Sequence, residues 1–414
     1  MDKKEVFPSA DRNKVVFPKF EYIDHNKTYP KKYSIGDVKE LQSHVIERVE
    51  TVRLRNRFPR LMGKNAFRTD HGYGGECVAK VLYTDKGAKG WGFFPGNFWD
   101  LKQEQDLAVV GKRVSDVFDP AKGVTDDEVV QYDFALHDLA GVIMGLPVYK
   151  MVGNNGTNPV NCYDTMILMD DISPDSSPRG IGQIIRSCEQ DYSLGYRDFK
   201  IKIGRAPQWM TEIDGIKRDI EVVRLVREHF PNAKITVDAN DGYTPQTIKE
   251  FIDGVSDCNV FWIEEAFRED YEGLRILRDY LDLKSPSTLI ADGESRADIG
   301  KLLFYAKEGL LNILQMDIVF LGFTAYRSLS RFVEEAGAFA SPHCWGFGMK
   351  TNYCCSLAAG MSVFREIEGM VDETEGVDDS GYSMLNGKKT VPDLPGFGMD
   401  LEWGLPLFET KGEK

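Results

Sequence analysis

Three acidic residues close three successive apolar runs: Asp238 in TVDAN, Glu264 in WIEEAF and Glu294 in IADGES. Three carboxylates gathered in one place repel and titrate abnormally unless something cancels their charge. A hard divalent cation with oxygen ligands does so, and Mg²⁺ favours a few carboxylates together with waters and substrate oxygens. Taken singly, each acid reads as a salt-bridged loop residue; in step, the three point to a metal. Upstream, FKIKI sets Lys200 and Lys202 two apart, so on a strand both face one side. Buried together, they are expected to depress each other's pKa and provide a neutral amine able to act as a base. The alternative is an edge strand with its lysines in solvent. Downstream, Asp317 ends LQMDIV and His343 lies in SPHCW. A carboxylate on the neighbouring strand end orients an imidazole and raises its pKa, making a second acid or base. Glu366, in VFREIEG, is a candidate hydrogen-bonding group for substrate, with Glu368 an almost equal one. As one device, the metal and Lys200 would hold a carboxylate and stabilise the enediolate formed when its α-proton leaves. Lys202 would stand on one face of that carbon and His343 on the other.

Such a set needs a scaffold that brings strand ends together. Lys202, Asp238, Glu264, Glu294, Asp317, His343 and Glu366 follow one another at steps of 36, 26, 30, 23, 26 and 23 residues. Each step fits one strand, one helix and two short loops. Short β-branched runs alternate with amphipathic segments such as IDGIKRDIEVVRLVREHF and TPQTIKEFIDGV, the pattern of a parallel sheet. With an opening strand near Val160–Cys162 the count is about eight, that of a (β/α)₈ barrel; an open doubly wound sheet is the alternative. Before it, VIERVETVRLRN and ECVAKVLYTDKGAKGWGFF read as antiparallel strands, with DKGAKG as hairpin turn. VTDDEVVQYDFALHDLAGVIMG reads as a helix with Thr125 as N-cap and Gly145 near its end. The expected division is an α+β capping domain over 1–155, completed by the tail from about 370 to 414, and a barrel over 156–369.

The composition excludes other classes. A net charge of −14 offers no basic surplus for nucleic acid. No uncharged apolar run approaches the roughly 20 residues that span a bilayer, and MDKKEVFPSADRNK carries no apolar leader core. The seven cysteines, irregularly spaced and without a CxxC pair, read as free thiols of a cytoplasmic protein.

These residues resemble the enolase superfamily, and most closely its mandelate racemase subgroup, along nearly the whole chain. FKIKI resembles the subgroup's KxK motif, with Lys202 as base and Lys200 as its partner. TVDAN, WIEEAF and IADGES resemble the metal-ligand segments, which selects Glu264 over Glu265 and Glu294 over Asp292. Asp317 and His343 correspond to the Asp–His dyad, and VFREIEG to the last strand's glutamate, best through Glu366. The resemblance implies a modified (β/α)₈ barrel with a capping α+β domain, one Mg²⁺ per subunit, and a homo-oligomer between dimer and octamer. The subgroup includes racemases, epimerases and acid-sugar dehydratases. The glycine-rich segment FPRLMGKNAFRTDHGYGG, with Arg57 just before it and Arg60, Lys64, Arg68, Asp70, His71 and Tyr73 within it, offers partners for a polyhydroxylated acid. Arg57, His71, Tyr73 and Asn240 are its candidate substrate contacts. The expected activity is therefore an acid-sugar dehydratase giving a 2-keto-3-deoxy acid, with a racemase or epimerase as the alternative. A barrel that had lost its chemistry would show damage among Lys202, Asp238, Glu264, Glu294 and His343, and all five stand.

Overall fold

The computed structural model describes residues 35–95, 101–206, 208–295 and 298–412. The charged segment MDKKEVFPSADRNK and Gly96 of GWGFFPG lie outside them. After a helix over Ile35–Ser43 come three antiparallel strands, β1 (Ile46–Arg57), β2 (Glu76–Thr84) and β3 (Lys89–Phe93), with Gly87 turning the β2–β3 hairpin at φ 81°. Helix α1 (Asp133–Met144) packs on them and ends at Gly145, which takes the left-handed conformation that lets the chain leave the helix. Its approach differs from the expected Thr125 cap. A 3₁₀ turn, Asp127–Tyr132, comes first, and Asp126 caps it by accepting from the Glu128 N–H at 3.0 Å.

Eight parallel strands follow: β4 (Val160–Ile167), β5 (Phe199–Lys202), β6 (Ile235–Asp238), β7 (Val260–Glu264), β8 (Leu289–Asp292), β9 (Ile313–Leu314), β10 (Phe339–Ala340) and β11 (Ile367–Gly369). They pair in chain order from β4 to β10, and β11 pairs with β4. A bridge from Ala340 to Phe364 joins β10 to the entry of β11, so the sheet meets itself as a barrel. The crossovers carry α2 (Gly182–Ser193), α3 (Glu212–His229), α4 (Thr247–Val255), α5 (Tyr271–Lys284), α6 (Ile299–Lys307), α7 (Phe323–Glu335) and α8 (Gly348–Gly360). Among the described residues no helix follows β11, which leads into the tail: the modification of the eightfold pattern. Several helix starts are marked in the sequence, since Thr211, Asp270 and Asp298 each accept a backbone N–H of the turn they cap. All four residues of β5, and likewise of β6, are buried, because helices cover the outside and side chains fill the inside. Tyr163, Trp262, Ala291 and Ile313 form a cluster of their own from four strands of the barrel.

The tail reaches two places. Its last strand, β12 (Leu405–Lys411), pairs with β1, while the 383–390 hairpin pairs with the start of β4. All seven cysteines are unpaired and buried. Among the described residues, no helix is long and apolar enough to cross a membrane.

Candidate active site

Strand register sets the chemistry at one level. Lys202 is paired with Asp238 and Asp238 with Glu264, so the three residues sit side by side at the C-terminal ends of β5, β6 and β7. Glu294 lies two residues beyond β8 and joins them through Gly293. That glycine has φ 126°, and a Cβ on it would lie 3.2 Å from the Gln315 nitrogen. Ligand oxygens of Asp238, Glu264 and Glu294 all fall within 4.8 Å of one another. Glu294 Oε2 is buried without a hydrogen-bond partner. A buried orphan oxygen in an all-carboxylate set fits a hard divalent cation of the Mg²⁺ kind. Crowding also shows in the Glu264 carboxyl, which burial and the neighbouring Asp238 charge push up to about 7.

Lys200 differs from the expected depressed amine. Lys200 is 1% exposed, and its Nζ lies 2.6 Å from Glu368, 2.8 Å from Glu264 and 3.3 Å from Asp238. Burial works against its charge, but Glu264 and Glu368 outweigh it and hold the ammonium well above its ordinary range. Lys200 is therefore a fixed cation among three carboxylates. Lys202 contacts Asp238, and its amine also donates to Asn240 Oδ1 at 3.0 Å. Burial raises the Asp238 carboxyl, but the charges of Lys202 and Lys200 prevail and lower it to about 2. The Asn240 amide nitrogen donates to Glu265 at 3.0 Å, so both ends of this buried side chain are engaged. Expected as a substrate contact, Asn240 instead holds the Lys202 amine.

Across the barrel mouth, His343 Nδ1 is 2.8 Å from Asp317 Oδ2, and its Nε2 lies 3.4 Å from Glu294 Oε1. Burial disfavours the imidazolium, yet the charges of Glu294 and Glu368 and the bond to Asp317 raise the His343 pKa. Glu366 is a correction. It precedes β11 at the N-terminal end of the barrel, where it accepts from Lys234 at 2.7 Å and Asn161 at 3.3 Å. Glu368, within the strand, bonds Lys200, the Thr165 hydroxyl at 2.7 Å and the Cys344 N–H at 2.5 Å.

The 58–75 segment is less open than its polar composition suggests. Arg60 is buried in a bidentate pair with Asp191, and Lys64 is paired with Asp70 and Asp175. Arg57 is exposed, on the opposite strand face from Asn56, whose amide reaches Gly346 O and Asp372, both at 2.7 Å. Tyr73 is 64% exposed. His71 packs beside the His343 loop: its ring centroid is 5.5 Å from that of Trp345, and its Nδ1 donates to Gly63 O at 2.6 Å. Phe58 and Met62 pack with Met166, Leu168 and Met370, and Trp345 and Val371 border them. Reading the sequence missed Trp345 and also Gln315, whose amide donates to Glu264 at 2.9 Å as the Trp262 indole does at 3.2 Å. It also missed Lys350, 2.8 Å from Asp317. For Gln315 a signal existed, because it lies two residues before Asp317; for Lys350 none did.

A family model described as Enolase C-terminal domain-like matches residues 183–404, more than half of the chain. The chain belongs to the enolase superfamily. Among solved structures it is similar to a galacturonate dehydratase from Geobacillus sp. complexed with D-galacturonate and 5-keto-4-deoxy-D-galacturonate. Identity there is 32% and the TM-score 0.80, over 87% of this chain and 95% of that one. It is also similar to a D-gluconate/D-galactonate dehydratase of Picrophilus torridus, 22% identical over 65% of this chain and 67% of that one. A hydrophobic dipeptide epimerase of Enterococcus faecalis is 25% identical over 51% of this chain and 53% of that one.

Proposed function

We propose that this protein is a Mg²⁺-dependent acid-sugar dehydratase. The observation that carries the reading is that two proton-handling groups flank one carboxylate triad: Lys202 against Asp238, and His343 against Glu294. Asp238, Glu264 and Glu294 would hold the cation, which supplies electrostatic stabilisation to a substrate carboxylate as negative charge builds on it. Lys202, steadied by Asn240, takes the α-proton from the face it borders. His343, kept as a donor at Nδ1 by Asp317, gives the proton on Nε2 to the departing β-hydroxyl, which leaves as water. The enol left behind becomes the 2-keto-3-deoxy acid, counted from the carboxyl carbon. The similar Geobacillus protein supports this choice, since its two bound sugars differ by water lost beside the carboxyl. The two-sided placement also suits proton exchange across one carbon, and the epimerase relative favours that as the second reading.

The test is a screen of aldonic, aldaric and uronic acids with Mg²⁺ for 2-keto product. Formation of a keto-deoxy acid by the wild type, lost in Lys202→Ala and His343→Asn, is expected. α-Proton exchange in D₂O without any water loss across the panel would replace dehydration by epimerisation. Full activity in either variant would remove the mechanism.

A further inference from the structure

His343 owes its orientation to more than Asp317. The Asp317 carboxylate has four partners: Oδ1 accepts from the N–H groups of Val319 at 2.8 Å and Phe320 at 3.1 Å. Oδ2 meets His343 Nδ1 and Lys350 Nζ, each at 2.8 Å. A carboxylate has about four lone-pair sites, so every one is used and the group cannot turn. Of these four partners, Lys350 alone lies neither in the one-turn helix Ile318–Leu321 that Asp317 caps nor on the loop of His343. It sits in the first turn of α8, 7% exposed, and also donates to the Trp345 carbonyl at 2.9 Å. One ammonium thus braces the dyad carboxylate and, at the same time, the loop two residues beyond the imidazole.

A buried ammonium is costly to desolvate unless it is paired and hydrogen-bonded, and here both partners belong to the His343 assembly. Packing alone would be served as well by methionine at this position. Two consequences follow from the geometry. Asp317 is kept an anion, so Nδ1 keeps its proton and Nε2 remains the nitrogen that exchanges protons. The 343–345 loop is also held against α8, so the ring cannot follow a shift of the loop.

We propose that Lys350 is a positioning residue for His343, fixing the imidazole by sharing Asp317 Oδ2 and tethering the Trp345 carbonyl. The inference rests on the two-sided reading of the site given above. It predicts a one-sided defect, since Lys350 touches the His343 face and has no contact with Lys202.

The experiment takes the acid dehydrated in the screen above and follows it by NMR in D₂O with Mg²⁺, reading total α-proton loss and water elimination separately. Lys202→Ala should lose both, whereas His343→Asn should lose elimination and keep α-proton exchange. In Lys350→Met, elimination should fall roughly 10- to 100-fold, the scale of a small misplacement of a reacting group. Total α-proton loss should change less than about twofold, and Lys350→Arg should restore most of the elimination because it keeps a cation at Asp317. Equal losses in both readouts, or no change in either, would overturn the proposal, and a melting curve accompanies each variant. Wild-type protein that eliminates water from no acid of the screen would overturn the dehydratase reading and this inference with it.

Discussion

Lys200 Nζ lies 2.6 Å from Glu368 Oε1, and this pair joins the second strand of the barrel to the last. Both side chains are 1% exposed, so neither charge has water to fall back on. Glu368 therefore belongs to the electrostatic balance of the site, whereas Glu366 sits with Lys234, whose side chain is 39% exposed. Glu368→Gln should lower kcat by about 10- to 100-fold, through displacement of Lys200 and of the Cys344 backbone next to His343. Glu366→Gln should leave kcat unchanged and cost less than about 1 kcal/mol in stability, as surface ion pairs do. Steady-state kinetics on both variants checks the contrast. A reversal would return the role to Glu366.

Removing Lys200 exposes the opposite side of the same balance. In Lys200→Met, three buried carboxylates lose the cation they share, and breaking a buried charge set of this kind costs about 3–5 kcal/mol. Urea denaturation without added metal should show that loss. Saturating Mg²⁺ should recover part of it, because the cation would neutralise Asp238 and Glu264 directly. A variant as stable as the wild type in EDTA would contradict the assignment of Lys200 as a fixed cation.

The metal ligands give their own prediction. A cation bound only by the folded protein raises its stability by RT ln(1 + [L]/Kd), about 2.7 kcal/mol at a hundredfold excess over Kd. Thermal melts should therefore shift upward with Mg²⁺ and return with EDTA. Glu294→Gln should abolish most of the shift, since Glu294 Oε2 is the oxygen left without a partner. An undiminished shift in that variant would place the cation elsewhere.

The parts of the site that could be read from the sequence are those whose chemistry coincides with a strand end. Asp238 and Glu264 close buried runs, and the KxK spacing of Lys200 and Lys202 survives as shared facing on β5. The helix cap read from the sequence, Thr125, is displaced because a 3₁₀ turn capped by Asp126 intervenes. Glu366 and Glu368 could not be separated. In REIEG both stand two apart with the same local pattern, and only where the three-residue strand begins decides which end of the barrel each reaches. The charge of Lys200 was misjudged for a related reason. A neighbouring lysine is visible in sequence, but Glu368, 168 residues away, is not. Arg60 read as a free hydrogen-bonding group because its partner, Asp191, lies beyond the first barrel strand.

His71 should make stability depend on pH. Burial lowers its pKa from 6.5 to about 4, with the charges of Arg68 and Lys202 adding to the effect and the bond to Gly63 opposing it. The folded protein then binds this proton less readily than the unfolded chain does. Its contribution is full above pH 6.5 and is lost as pH falls through the window down to about 4, on the order of 3 kcal/mol in all. Urea denaturation at pH 7 and pH 5 should show the wild type losing more stability on acidification than His71→Gln does. The loss should begin locally, with faster amide exchange at His71, whose N–H bonds Met62 O, and at Met62, whose N–H bonds Gly72 O. Identical pH slopes in wild type and variant would mean that the ring is not held neutral against Gly63 and Trp345.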